Sequence, residues 1–299
     1  MRTLKRPIAF VVGTALLGVM NSAAAAQSED VAPADGFASD VMFEITLPAA
    51  AMPARLGRVN MEIHTIEPGV DAEVGIGNEA ARGKALYIES GELLIEPMVD
   101  ALHWAPGTTL DGSASTVAAG EAVRLIPGSL ILLPAIEPDQ LLEGAVIRVS
   151  NPGDEPVIAP GFHLHSLDGS FPGWPSGIDG VWVGGGDGPG ELEQLSVGDV
   201  AFRLSRLSAG PGASMTVPDD ALFSIYRVET GRVGMTSRGP GGETTLAWGP
   251  GSGGATLLTD ALDWELAVTP DGPATLLELA AIPLGEPVGI DAASSEATE

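Results

Sequence analysis

The stretch Ala85-Leu-Tyr-Ile-Glu-Ser-Gly-Glu-Leu93 recurs later as Ser224-Ile-Tyr-Arg-Val-Glu-Thr-Gly-Arg-Val233. A chain that carries one pattern twice is built from two like units. In each copy apolar and polar residues alternate up to a Glu-Ser-Gly or Glu-Thr-Gly turn, and a second alternating run then leaves in the opposite direction, which predicts a hairpin of two half-buried strands. Gly91 and Gly231 suit a turn position with positive φ, where a side chain would clash with the backbone. Upstream, Glu62–Gly69 aligns with Arg203–Gly210 with one residue of slippage relative to the hairpins, so a shared strand precedes each. Downstream, Asn151-Pro-Gly-Asp-Glu-Pro156 and Thr269-Pro-Asp-Gly-Pro273 occupy like places before a closing apolar strand.

Composition agrees with many short strands. The 299 residues include 40 Gly and 24 Pro, with only 5% aromatic residues, and no long stretch has helical periodicity, so the expected class is all-β. Cysteine is absent, which removes disulfides, thiolate catalysis, iron–sulfur clusters and sulfur-ligated zinc.

The ends read differently from the middle. Arg2, Lys5 and Arg6, the apolar run Ile8–Val19 and the small residues Ser22–Ala26 predict a signal peptide over 1–26 and a protein secreted to the cell envelope or beyond. Residues 27–40 read as a flexible lead, 41–165 as the first unit, 166–191 as a Gly-, Pro- and Trp-rich linker, 192–283 as the second unit and 284–299 as an acidic tail. Removing the leader takes three of 14 basic residues and none of 40 acidic ones, moving the formal charge from −26 to 11 − 40 = −29. Such a surface repels phosphate backbones and anionic headgroups, so no nucleic-acid partner and no membrane binding after leader removal are expected. The expected partners are a small-molecule ligand or another exported protein, and exposed strand edges of the shorter second unit invite self-association.

Pro68-Gly69, Leu86-Tyr-Ile-Glu-Ser-Gly-Glu-Leu93, Gly128-Ser-Leu-Ile-Leu-Leu-Pro-Ala135 and Asn151–Pro156, in that order, resemble the successive signature pieces of a cupin domain. The second unit resembles a worn copy, so most of residues 41–283 resembles a bicupin. The resemblance implies two jelly-roll barrels in tandem. It also implies a divalent metal inside the barrel, held by two histidines spaced H-x-H, a glutamate before the first hairpin turn and a later histidine.

This sequence departs from that ligand pattern at every position. Lys84 stands where the glutamate belongs, Asn78, Glu79 and Ala80 lie near the histidine positions, and Asp139 stands where the last histidine belongs; Ser224, Asp219 and Asp220 occupy the corresponding places in the second unit. A protonated lysine repels a metal ion. The ligand-pocket candidates are therefore Lys84, Asp139, His64 and Glu79, with Lys84 paired to Asp139 or Glu79, or else pointing to solvent. His64 sits on a strand near Glu62 and Thr65 and reads as a hydrogen-bonded structural histidine. His163-Leu-His165 has a chelating spacing on a strand, and those two are the weak metal candidates, though they lie in the closing strand rather than at the motif positions. No cofactor is expected.

No catalytic residue stands out: the chain lacks a Gly-x-Ser-x-Gly turn, and among 40 carboxylates any close pair is unremarkable. The reading is an exported, non-catalytic cupin-type protein with degenerate metal motifs, binding a small ligand or serving as an interaction or structural module. The alternative is a metal-dependent oxygenase, isomerase or lyase with an atypical ligand set drawn from His64, His103, His163, His165, Glu79 and Asp139. Histidines and acids converging inside either barrel would favour that alternative.

Overall fold

The computed structural model describes residues 36–47, 56–75, 81–107, 114–135, 146–166, 177–184, 199–218, 220–257 and 262–284. The expected signal peptide, Glu79, Asp139 and nearly all of the expected acidic tail lie outside these residues.

Twenty strands, numbered along the chain, form four antiparallel sheets, and no helix occurs among the described residues. The largest sheet runs, in spatial order, β12 (Gly177–Gly184), β2 (Leu56–Ile66), β11 (Val157–Ser166), β4 (Ala81–Tyr87), β9 (Leu130–Ala135), β6 (Ala101–Trp104) and β7 (Ser115–Val117). Facing it is a four-stranded sheet of β3 (Asp71–Gly75), β10 (Val146–Ser150), β5 (Leu93–Glu96) and β8 (Val123–Leu125). The second unit repeats the plan. Its larger sheet is β1 (Phe37–Leu47), β13 (Val200–Ala209), β20 (Ala274–Pro283), β15 (Phe223–Thr230) and β18 (Gly253–Leu257). Its smaller sheet is β14 (Ser214–Thr216), β19 (Asp263–Val268), β16 (Val233–Gly239) and β17 (Gly242–Trp248).

The alternation of side chains fills three separate layers. Ile66, Leu86, Ile88, Leu93, Ile95, Ile131 and Val149 pack inside the first barrel, and Leu207, Tyr226, Val228, Met235, Leu266 and Leu276 inside the second. The third core lies between the barrels, where the outward faces of the two larger sheets meet. It holds Val59, Met61, Ala85, Phe162 and Leu164 of the first sheet against Phe43, Phe202, Leu204, Phe223, Ile225 and Leu279 of the second. Phe162 stacks on Phe202 with ring centroids 4.6 Å apart. A larger sheet buried on both faces needs continuous apolar runs, which is why β13, β15 and β20 read Val-Ala-Phe, Phe-Ser-Ile-Tyr and Ala-Thr-Leu-Leu rather than strictly alternating.

Pairing departs from sequence order at both ends of the first unit. Strand β1, whose residues from Val41 on were expected to open the first unit, pairs along its length with β13 of the second. Its first four residues, Phe37 to Asp40, are already extended, so order begins ahead of Val41. Conversely β12 falls within the expected linker and pairs with β2 of the first barrel. The stretch Ala101–Gly120, expected to be looser, contributes β6 and β7. Arg206 ties the units further, because its guanidinium meets Glu229 at 2.7 Å and Glu89 at 3.0 Å. Those two glutamates hold the same place in the two copies of the hairpin.

The hairpin glycines behave as their spacing predicts. Gly91 (φ 78°) and Gly231 (φ 76°) are in the left-handed region, and a Cβ there would lie 2.7 Å from the Pro156 carbonyl oxygen and 2.3 Å from that of Pro273, respectively. Each hairpin turn thus rests on the closing turn of its own unit. The upstream alignment needs correcting by two residues. Val70 N–H donates to the Glu67 carbonyl as Ala213 N–H does to that of Gly210, with positive φ at Gly69 and Gly212. Gly69 therefore corresponds to Gly212. A slip of two leaves every side chain on the face it was assigned.

Phe162→Ala removes one ring of the stack at the centre of the inter-barrel core and should cost about 3–5 kcal/mol in urea unfolding. The unfolding transition should remain single, since both units share that core; a loss below about 1 kcal/mol would mean the core is not packed as described.

Candidate functional site

Strand β2 places Val59 and Met61 in the inter-barrel core and turns Asn60, Glu62 and His64 toward the interior of the first barrel. Its neighbours do the same: on β11, Phe162 and Leu164 face the other barrel while His163 faces inward, and on β4 Ala85 faces out while Lys84 faces in. Register makes the inward residues adjacent. Asn60, His163 and Lys84 stand opposite one another across β2, β11 and β4. In the neighbouring rows β11 offers only Gly161 and Ala159, opposite Glu62 and His64, so Lys84 reaches across little side chain. At Gly161 a Cβ would sit 2.0 Å from the Ala85 carbonyl oxygen, which restricts that position to glycine.

The carboxylate of Glu62 is the hub. One oxygen accepts from Asn60 Nδ2 at 3.0 Å and lies 3.5 Å from His163 Nδ1. The other lies 3.0 Å from His64 Nε2 and 3.5 Å from Lys84 Nζ. Lys84 Nζ also approaches His64 Nε2 to 2.8 Å. All four ionisable groups are buried, Glu62 and Lys84 at 4% exposure, His163 at 2% and His64 at 0%.

Burial and mutual charge set their protonation. Desolvation alone would raise the Glu62 carboxyl; the hydrogen bond from His64 and the charges of His163, Lys84 and His64 outweigh it and hold the group well below the usual carboxylate range. Burial, aided by the Lys84 charge, pushes His64 down to about 4 against the pull of Glu62. Burial likewise pushes Lys84 down to about 7, with the Glu62 charge and hydrogen bond opposing. His64 Nε2 cannot both donate to Glu62 and accept from an ammonium. One arrangement has the imidazole N–H on Glu62 and a neutral amine at Lys84; the other has a bare Nε2 accepting from the Lys84 ammonium. They differ by one proton on the Lys84 amine and by the tautomer of the neutral His64 ring.

Several expectations need revising here. Lys84 is buried rather than pointing to solvent, and among the described residues it meets Glu62 and His64; the expected Asp139 and Glu79 lie outside the described residues. His64 is hydrogen-bonded, as expected of a structural histidine, but to a carboxylate inside the barrel. His163, set aside because it lies in the closing strand, belongs to this cluster, because the closing strand runs through the middle of the sheet. His165 stands opposite Arg58 and Ala81 in register, and its side chain lies outside the described residues. His103 is on β6, opposite Ile131, and takes no part in the cluster. Asn60 was not singled out, and Glu62 was named only as a neighbour of His64. Period-two reading of β2 would have found them, since Asn60, Glu62 and His64 must share a face.

Two imidazoles and a carboxylate do converge inside the first barrel, contrary to the expectation that no such set remains. They do not fit a divalent ion as they stand. His64 Nε2 and the Glu62 carboxylate are engaged with each other and with Lys84, whose cationic form repels a metal, and among the described residues no group of three His, Cys, Asp or Glu side chains is arranged to hold one.

The second barrel carries other chemistry at the same level. Ser224 corresponds to Lys84, and beside it Tyr226 O–H donates to Glu278 Oε1 at 2.9 Å. Burial pushes the Glu278 carboxyl up, against the hydrogen bond from Tyr226 and the charge of Arg203. Asp220 is exposed.

Acid should weaken the fold with a definite pattern. Between about pH 7 and 10.5 the unfolded chain binds a proton at Lys84 that the folded chain does not, so stability climbs with pH across that window by at most about 1.4 kcal/mol per unit. His64 has the same sign as pH falls from 6.5 to about 4, and the Glu62 contribution is lost below 4.5. The melting temperature should rise from pH 7 to 9, and Lys84→Met should flatten that rise while lowering stability near pH 7 by about 3–5 kcal/mol, because Glu62 loses a buried partner. A profile unchanged by the substitution would place Lys84 elsewhere.

No protein-family model and no curated protein matches the chain. Solved structures do. An oxalate decarboxylase from Lactobacillus farciminis, a formate complex, is 11% identical with a TM-score of 0.39, over 84% of this chain and 82% of that one. An 11S globulin from Wrightia tinctoria is 12% identical with a TM-score of 0.41, over 82% and 84%. A cupin 2 conserved barrel domain protein from Leptotrichia buccalis is 6% identical with a TM-score of 0.31, over 80% and 88%. Likeness at this level carries no argument about activity, and the fold rests on the sheets themselves. Two antiparallel β-barrels in tandem, each carrying the same hairpin seated on its own closing turn, are the architecture that the cupin resemblance of the sequence implies.

Proposed function

We propose that this chain is an exported, metal-independent binding protein, in which the Glu62–His64–Lys84 cluster of the first barrel recognises a small polar molecule. The observation that carries the reading is the position of Lys84 Nζ, 2.8 Å from His64 Nε2 and 3.5 Å from Glu62 Oε2. A lysine there supplies from within the chain the positive charge that a divalent ion would otherwise bring to these donors. It also leaves the barrel with ammonium or amine, imidazole, carboxylate and amide groups side by side in an apolar interior, a set suited to a ligand that both donates and accepts hydrogen bonds. Export rests on Arg2, Lys5 and Arg6 ahead of the Ile8–Val19 run and Ser22–Ala26.

The competing reading is a metal-dependent enzyme using Glu62, His64 and His163. Its support is the convergence of those three side chains on one another, and it requires Lys84 to leave. Two measurements on the purified protein separate the readings. Elemental analysis should find no stoichiometric transition metal, and Mn²⁺ or Zn²⁺ should leave the melting temperature unchanged. A panel of small carboxylates, amides and sugars, screened with chelator present, should contain a compound that raises it, by about 2.7 kcal/mol of stability at a hundred times its dissociation constant, and Lys84→Met should abolish the response. One tightly held transition-metal ion per chain would overturn the proposal in favour of the enzyme. No response to any compound would leave a structural or interaction role.

A further inference from the structure

Sheet edges expose unpaired N–H and C=O groups, and proteins normally blunt them with short strands, charges, bulges or a covering element. Most edges of this chain follow that rule. Strands β7, β8 and β14 are three residues each. Strand β3 presents exposed Asp71 and Glu73, and β1 carries a register shift between Val41 and Phe43, flanked by Asp40 and Glu44. Strand β18 begins with two glycines and lies against β12.

Strand β17 has none of these devices. It is seven residues long, Gly-Glu-Thr-Thr-Leu-Ala-Trp, and pairs with β16 in unbroken register. Residues 242–247 are exposed, Leu246 by 53%. The strand contains no proline and no lysine. Its single charge, Glu243, is already met by Arg238 at 2.8 Å.

The charge layout suits one partner in particular. On a chain of net charge −26, Thr244 to Trp248 is an uncharged strip, so a like-charged molecule can approach it closely. Antiparallel pairing of this strand with itself, Leu246 opposite Leu246 of a second copy, sets Glu243 opposite Gly249 of that copy. Arg232 adjoins Val233, whose partner is Trp248, so it lies on the strand behind Gly249, about 10 Å from the facing Glu243. Arg232 forms no ion pair with a described residue. Its charge therefore lies, at both ends of the pairing, near an acidic corner of the facing sheet, where Arg238 is shared between Glu243 of β17 and Glu265 of β19 and Asp263 stands opposite it in register, leaving an excess of negative charge.

We propose that β17 is a self-association surface: two copies of this chain pair β17 to β17 about a twofold axis, joining their four-stranded sheets into one of eight strands. The remaining negative surface opposes the association, so salt should strengthen it.

Sedimentation velocity over a concentration series should show a monomer–dimer equilibrium, with more dimer at 0.5 M than at 0.02 M NaCl, the latter leaving charges unscreened to about 20 Å or more. Leu246→Lys should raise the dimer dissociation constant about tenfold or more without lowering the melting temperature. Because the chain has no cysteine, Leu246→Cys introduces a lone thiol, and a short bismaleimide should link two copies through it far faster than through Leu102→Cys, an exposed position on the interior strand β6. A monomer at every concentration and salt would overturn the proposal. So would a dimer indifferent to Leu246→Lys, or equal cross-linking at the two cysteines.

Discussion

A lysine buried inside an apolar barrel is held there by the carboxylate and imidazole beside it, and the character of the first barrel depends on that contact. Moving an ammonium out of water is expensive unless it is paired, or unless it gives up its proton. Here both routes are open at once. Glu62 compensates a charged Lys84 at 3.5 Å, and His64 at 2.8 Å can exchange hydrogen-bond roles with it. Neither partner alone suffices: without Glu62 the cluster has no negative charge among the described residues, and without His64 the carboxylate loses one of its two 3.0 Å bonds.

The cluster is kept in shape by the architecture around it. Its residues stand on β2, β4 and β11, three neighbouring strands of the sheet whose other face forms the inter-barrel core. Val59, Met61, Phe162 and Leu164 are therefore fixed in the inter-barrel core, where Phe162 stacks on Phe202 at 4.6 Å. The intervening Asn60, Glu62, His64 and His163 inherit that rigidity. Pairing of β1 with the second unit, and the reach of Arg206 to both Glu89 and Glu229, bind the two barrels into one body. The second barrel uses the same frame differently, placing a Tyr226–Glu278 hydrogen bond where the first has Leu86 and Gly161 in register.

Much of this was legible in the residues. The duplicated hairpin, the glycine turns and the strand-rich composition point to two like β units, because turn chemistry and period-two alternation are local properties. Strand exchange was not legible, since Phe37–Leu47 alternates equally well against either barrel and only tertiary packing decides its partner. The site was half legible. Lys84 stood out as a cation where a carboxylate belongs, but its partners lie 20 and 22 residues upstream on another strand, and the register between β2 and β4 is set through β11. Counting from motif positions sent attention to Glu79 and Asp139, whereas the barrel's polar groups come from strands that the motifs do not mark.

The proton on Lys84 gives the most direct access to the central contact. The sequence contains only two lysines, Lys5 in the predicted leader and Lys84, so protein labelled with ¹³C-lysine yields resonances that can be assigned by a single Lys84→Met spectrum. A pH titration of the side-chain Cε signal should show Lys84 losing its proton near pH 7, about three units below an ordinary lysine. A midpoint near 10.5 would mean that the amine sits in water, and that the buried contact with Glu62 and His64 does not exist.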